Sequence, residues 1–271
     1  MSIDNRTRTW LDALGQPVAN SPQLPGSVIL SQGNVPGHDK VFFVGVTPDV
    51  ENPFPRARAG EVGLLEGWGL AKAVHWLIDQ DRNKESKTPI VAVVDVPSQA
   101  YGRREEALGI HLALAAAASA YAQARLQGHP LIALLVGKAM SGGFLAHGYQ
   151  ASQIVALDDE GVMVHAMGKE SAARVTLRTI EQLESLSSRI PPMAYDIGNY
   201  ASLGLLTGGV LQVGSAAQPD SADLESVRTH LSGSIDRAQH DGASLANRLG
   251  AANRQASARV RELMREQWLA S

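Results

Sequence analysis

Two short segments carry residue types that manage negative charge. The first is Ser141-Gly142-Gly143-Phe144, which follows the apolar run Leu131–Val136 and opens a stretch with helical character. Glycine lets a backbone approach a ligand with no Cβ in the way. The first amides of a helix have no intrahelical acceptor and sit at the positive end of its dipole. Amides placed there stabilise an oxygen that gains charge as a carbonyl reacts. A glycine pair at a tight turn also serves close packing of helix on strand, and the motif alone leaves both readings open. The second segment is Val94-Asp95-Val96-Pro97-Ser98-Gln99-Ala100-Tyr101-Gly102, at the end of the apolar run that begins at Pro89. In a parallel sheet, ligands bind beyond the carboxyl ends of the strands. Both loops therefore belong on one sheet edge, where each can offer an amide to a shared oxygen. Asp95 itself reads as a turn former or helix cap rather than a base.

A rival chemistry shares the same turn. Ala139-Met140-Ser141-Gly142-Gly143 departs from the Gly-x-Ser-x-Gly nucleophile elbow at its first position. Ser141 would then be the nucleophile of a hydrolase or Clp-like peptidase, with His147 or His165 as base and Asp158 or Asp159 as the orienting acid. His147 falls on an apolar helical stretch and reads as a packing residue. His165, at a strand end nearer the presumed active edge, suits anion stabilisation or proton relay as well as a structural hydrogen bond. No His/Asp/Glu spacing resembles a metal site, and HExxH is absent. The glycines between Gly60 and Gly69 do not form the dinucleotide fingerprint.

The elements that must hold these loops follow from pattern. Residues 1–25 read as a short helix and a Pro-rich connection. Val28–Leu30 and Val41–Val46 read as strands, and the prolines from Pro48 to Pro55 impose a loop. Glu61–Gln80 carries apolar residues at helical spacing. Pro89–Asp95 and Leu131–Val136 are apolar throughout, which suits strands buried on both faces. Arg104–Gln127 reads as one long helix between them, and the helix after Ser141 is expected to run to about Gln150. Gln153–Leu157 and Gly161–His165 are further strands, and Ser171 starts another helix. Alternation of this kind indicates βαβ crossovers with mainly parallel pairing. Gly198–Gly214 shows no readable period. Residues 222–269 are helical in composition, with Leu224, Val227, Leu231 and Ile235 on one face, able to pack on this domain or on another subunit. One domain spans 1–271.

Bulk properties narrow the function classes. A net charge of −3 gives no footprint for nucleic acid or an anionic membrane. Cysteine is absent, which removes disulfides, thiolate metal sites and Cys nucleophiles. The polar start MSIDNRTRTW has no secretory pattern, and no apolar run is long enough to span a bilayer. A cytoplasmic α/β protein is expected.

The quoted segments resemble a family. Pro89-IVAVVDVPSQAYGRREEALG, a helix, and Pro130-LIALLVGKAMSGGFLAHG are similar to the carboxyltransferase segments of acyl-CoA carboxylases, in the crotonase-like group. There the first strand ends in Asp-x-Pro-Gly and the later one leads into Ser-Gly-Gly-Ala. Val162-MVHAMGKESAARV is similar to the next strand and helix, with Lys169-Glu170-Ser171-Ala172 in place of Pro-Glu-Gly-Ala. Within that group, Tyr195-DIGNYASLGLL and the compact length look most like the malonate decarboxylase gamma-subunit family. Ser98 and Ser171 replace glycines of the pattern.

The resemblance implies a crotonase/Clp-like α/β fold of ββα units with a helical C-terminal region. It implies decarboxylation of malonyl-S-acyl carrier protein to acetyl-S-acyl carrier protein, at a cleft shared with an obligate beta subunit of homologous fold. An acyl-carrier transferase (alpha) subunit and the carrier protein complete the assembly. The substrate arrives on the carrier's prosthetic group, and this chain binds no cofactor of its own. The biotin-attachment pattern Ala-Met-Lys-Met is absent. The backbone amides of Gly142 and Gly143 are the implied oxyanion donors, with Gln99 a further catalytic candidate. Ser98, Ala100, Ser141 and His165 are the candidates for substrate binding. Tyr195 is a candidate proton donor to the enolate, and Arg56, Arg58, Arg103 and Arg104 are candidates for the carrier arm's phosphate. A third possibility is a scaffold that only shapes the beta subunit, its Ala-rich helices and amphipathic tail suiting an interface.

Overall fold

The computed structural model describes residues 6–270. Helix α1 (Arg6–Leu14) buries Trp10, Leu11 and Leu14, and the Trp10 indole donates to the carbonyl of Ala216 at 2.8 Å. Strands β1 (Gly15–Pro17), β2 (Val28–Val35) and β3 (His38–Val46) form an antiparallel edge. From β3 onward the pairing turns parallel through β4 (Ile90–Val96), β5 (Leu131–Met140), β6 (Gln153–Asp158) and β8 (Gly209–Gln212), while short β7 (Met163–His165) pairs the far end of β5. The expected alternation is therefore present, and the first two expected strands are a hairpin, longer than their apolar runs because their polar ends still pair.

Helix α2 (Leu64–Gln80) joins β3 to β4, and α3 (Arg103–Ala107) and α4 (Ile110–Leu126) join β4 to β5. The single helix expected over Arg104–Gln127 is thus two, because Gly109 adopts φ +82° and interrupts the helical backbone before capping α4. Helices α2 and α4 cross so closely that a Cβ on Gly67 would meet the backbone carbonyl of Ala113 at 2.6 Å. The central strands are buried along almost their whole length. Buried carboxylates secure the connections. Glu66 caps α2 by accepting from the Gly63 amide at 2.9 Å, the Asn52 carboxamide at 2.7 Å and the Ser27 hydroxyl at 2.5 Å.

Helix α5 (Ser141–Ala146) stops short of Gln150, because His147 is extended and Gly148 takes φ +105°. Beyond β7 come α6 (Lys169–Thr176), α7 (Ile180–Ser187) and α8 (Ile197–Ser202). The last of these and β8 lie in the stretch without a readable period. The C-terminal region is also two helices, α9 (Ser221–Asp241) and α10 (Gln255–Ala270), parted after Gly242 at φ +68°. Val227, Leu231 and Ile235 of α9 are fully buried in the core of this domain, whereas α10 buries none of its residues. No helix among the described residues is long and apolar enough to cross a membrane.

Candidate active site

The carboxyl ends of β4 and β5 do converge. Between Val94 and Val96 the β4–β5 register slips, so that Val94 pairs Leu135 while Val96 pairs Ala139. Asp95 holds this bulge, accepting from the Lys138 amide at 2.9 Å, and Gly137 leaves room for it: a Cβ there would overlap the Asp95 carboxylate. Bulges re-aim a strand; here the bulged strand goes on to pair β7 and then turns into α5. Asp95 thus has a structural role, but inside β4 and across to β5 rather than as the turn former or helix cap its sequence position suggested.

The turn itself is tightly specified. Ser141 sits at φ +60°, a left-handed conformation that costs a non-glycine residue about 1–2 kcal/mol. Gly143 is buried, and a Cβ on it would meet the Ser98 carbonyl oxygen and a Val96 methyl, each at 2.5 Å. Loop 97–100 is pinned in turn by Val62, whose amide donates to Ser98 at 3.1 Å and whose carbonyl accepts from Ala100 at 2.9 Å. The Gln99 side chain spans the two loops. Its Oε1 accepts from the Gly142 amide at 2.6 Å and from the Ser141 hydroxyl at 2.6 Å.

Ser141 and Gly142 open onto a cleft of about 370 Å³ that is also lined by His165, Phe144, Leu145, Tyr149 and the wall Pro191, Pro192, Ala194, Tyr200 and Leu203. The lining contains no Arg, Lys, Asp or Glu. Ser98 and Gln99 stand beside this lining, and Ala100 is buried with its amide committed to Val62. The far wall was not foreseen in the sequence. His165 stacks on Tyr195 with ring centroids 3.9 Å apart. Its Nδ1 lies 2.9 Å from the Met167 carbonyl, and burial lowers its pKa against the opposing pull of that bond. Tyr195 is not part of this lining. It lines a separate cavity of about 520 Å³ and donates its hydroxyl to Met167 at 2.9 Å, so the structure does not bring it to Ser141. None of the four candidate arginines lines the cleft; Arg58 donates to the Asn52 carbonyl at 2.8 Å and Arg104 lies over the Phe54 ring.

The nucleophile arrangement is not assembled, although the left-handed serine at a strand-to-helix turn matches an elbow backbone. His147 is fully buried, its Nδ1 2.9 Å from the Tyr121 hydroxyl and its Nε2 3.0 Å from the Val93 carbonyl. Burial lowers its pKa to about 4, against the Val93 bond. Asp159 is paired with Arg6 at 2.8 Å, and Asp158 accepts from Gln212. The Ser141 hydroxyl itself points to Gln99. No cluster of His, Asp and Glu among the described residues could hold a metal ion.

Comparison with known proteins converges on one family. The family model described as malonate decarboxylase gamma subunit, MdcE, matches residues 57–268. The malonyl-S-ACP:biotin-protein carboxyltransferase MADD of Malonomonas rubra is 35% identical over 183 residues, which are 66% of this chain and 62% of that protein. This chain therefore spans less than two thirds of that relative's length. A chain from a Pseudomonas malonate decarboxylase hetero-tetramer in complex with coenzyme A is 58% identical with a TM-score of 0.92, covering 97% of this chain and 100% of its own. A chain from the Pseudomonas MdcD-MdcE hetero-dimer is 56% identical with a TM-score of 0.89, covering 98% and 100%. The transcarboxylase 12S core, 21% identical with a TM-score of 0.58 over 79% of this chain and 36% of its own, shares the crotonase-like carboxyltransferase fold.

Proposed function

The chain belongs to the malonate decarboxylase gamma-subunit family, and on that premise we propose that it forms, with a beta subunit of like fold, the site that decarboxylates a malonyl thioester. The carrier protein's prosthetic arm brings the malonyl group into the cleft beside Ser141 and Gly142. The bond between the carboxyl carbon and Cα breaks, carbon dioxide leaves, and the electron pair moves onto the thioester oxygen as an enolate. A proton added at Cα then gives the acetyl thioester.

The observation that carries this reading is the convergence of the Gly142 amide and the Ser141 hydroxyl on one acceptor oxygen at the cleft mouth. Catalysis requires interactions that strengthen on the way to the transition state. The thioester oxygen gains charge in this reaction and the carboxylate loses it, so donors on the carboxylate would hold the ground state back. We therefore assign the Gly142 amide and the Ser141 hydroxyl to the thioester oxygen, with the Gly143 amide, next along the turn, as a further donor. A well-placed donor of this kind contributes about 10²–10³ in rate, or ~3–4 kcal/mol. The uncharged lining fits the same role, because it offers the departing carboxylate no ion pair that would stabilise it before reaction.

The test is Gly142→Val in the assembled complex. A Cβ at that position meets Gln99 Oε1 at 2.7 Å, so a branched side chain fills the space of the acceptor oxygen. Turnover of malonyl carrier protein should vanish while size-exclusion chromatography shows the complex intact. Full activity of that variant, or of the beta subunit assayed alone, refutes the assignment.

A further inference from the structure

We propose that Gln99 is a latch on the donor pair: its side-chain carbonyl occupies the position of the substrate oxygen until substrate replaces it, so Gln99 sets the affinity of the site. The inference rests on the reading that Ser141 and Gly142 serve the thioester oxygen.

The orientation of the carboxamide is fixed by chemistry. A backbone amide only donates, so the Gln99 atom 2.6 Å from Gly142 N has to be the oxygen. The Ser141 hydroxyl, 2.6 Å from the same oxygen, then donates as well. Two donors thus meet on one sp² carbonyl oxygen, the arrangement a thioester carbonyl needs. A neutral carboxamide is a fitting occupant. It satisfies two donors that would otherwise be left at a partly buried turn, yet it holds them less tightly than an oxygen acquiring negative charge does.

The backbone cannot withdraw to make way. Val62 brackets Gln99 with hydrogen bonds to Ser98 and Ala100, and Gly143 packs directly against the Ser98 carbonyl. The movable part is the side chain, with three rotatable bonds. Gln99 is not among the residues that line the cleft, so its carboxamide reaches Ser141 and Gly142 from the loop side. Gly142 completes the device, since any side chain there would meet the Gln99 carboxamide.

The experiment is a KM and kcat series with malonyl carrier protein on the assembled complex. Gln99→Ala frees both donors, and KM should fall about five- to tenfold, the worth of displacing two neutral hydrogen bonds after water fills in. Gln99→Asn keeps the carboxamide but is one methylene short, so it should behave like Gln99→Ala. Gln99→Glu places a carboxylate on the same donors, and KM should rise at least about tenfold because charge-assisted bonds are stronger. In all three, kcat at saturation should stay within about threefold, since the latch is already open in the bound state. A residue that merely supports the loop would move KM in one direction for every substitution and would be rescued by Asn. A rise in KM for Gln99→Ala, or a fall in kcat with KM unchanged, overturns the latch. An immobile KM series with inactive Gly142→Val removes the latch alone, whereas active Gly142→Val removes the oxyanion reading whatever the series shows.

Discussion

Adding one methyl group at Gly143 tests whether the two loops act as a single unit. A Cβ there would lie 2.5 Å from the Ser98 carbonyl oxygen and 2.5 Å from Val96 Cγ1, and 2.8 Å from the Ser98 carbonyl carbon. Ordinary contact begins at 3.4 Å, so the turn and the loop must part by roughly 0.9 Å. Neither side yields easily. Ser98 is backbone held by Val62, Val96 is fully buried in the sheet, and α5 is tied back to β4 through the bond from His147 to Val93.

Two effects of Gly143→Ala follow. Overpacking of this kind typically destabilises by about 1–3 kcal/mol, read as a lower urea midpoint of the isolated chain. A displacement near 1 Å at a reacting centre costs on the order of 10² in rate, read as turnover in the assembled complex at saturating malonyl carrier protein. Gly142→Ala is the internal comparison. Its Cβ meets only the flexible end of Gln99, at 2.7 Å, so it should disturb stability less. Gly143→Ala with undiminished turnover and an unchanged urea midpoint would show that the close approach of the loops has no part in positioning the donors.

Two further outcomes concern stability. Leu177 ends α6 at φ 53°, ψ 42° and is 93% exposed, so it bears left-handed strain with little packing to offset it. Leu177→Gly should raise the unfolding free energy by about 0.5–1 kcal/mol, the strain relieved less the entropy glycine adds to the unfolded chain, as judged by urea denaturation. His147, lowered by burial to about 4, binds its proton in the unfolded chain first. Its contribution is complete above pH 6.5 and is lost as pH falls through 4, about 3 kcal/mol in all; His147→Gln should flatten urea midpoints measured across that window while lowering them at neutral pH.

Strands β4 and β5 were legible because burial on both faces demands unbroken apolar runs, and these two runs are the longest strand-like ones in the chain. The meeting of the Asp95–Gly102 loop with the Ser141 turn followed from them, since parallel neighbours present their carboxyl ends together. What escaped notice depends on partners distant in sequence. The Gln99 bonds to Ser141 and Gly142 span 42 and 43 residues, and no local pattern announces them. The Val62 bridge that pins the loop lies far upstream, and the Pro191–Leu203 wall belongs to short elements that only their neighbours hold in place. The break between α3 and α4 is different. Gly109, in the middle of an otherwise helical pattern, is a local signal for that break, which its φ of +82° realises.

The same distribution explains why the site leaves so faint a mark in side chains. Backbone donors are positioned by whatever fixes the backbone, and here four constraints act on one turn: Asp95 sets the bulge that aims β5, Gly143 sets the distance to Ser98, Val62 anchors the loop opposite, and His147 ties the end of α5 to β4. Each looks like ordinary structure when taken by itself. Together they hold the Gly142 amide and the Ser141 hydroxyl on a common point, at the cost of a left-handed serine. Strain of this kind persists only where the surroundings over-determine it. A turn required merely to reverse the chain could relieve it with glycine at 141, but glycine would forfeit the hydroxyl that shares Gln99 with the Gly142 amide.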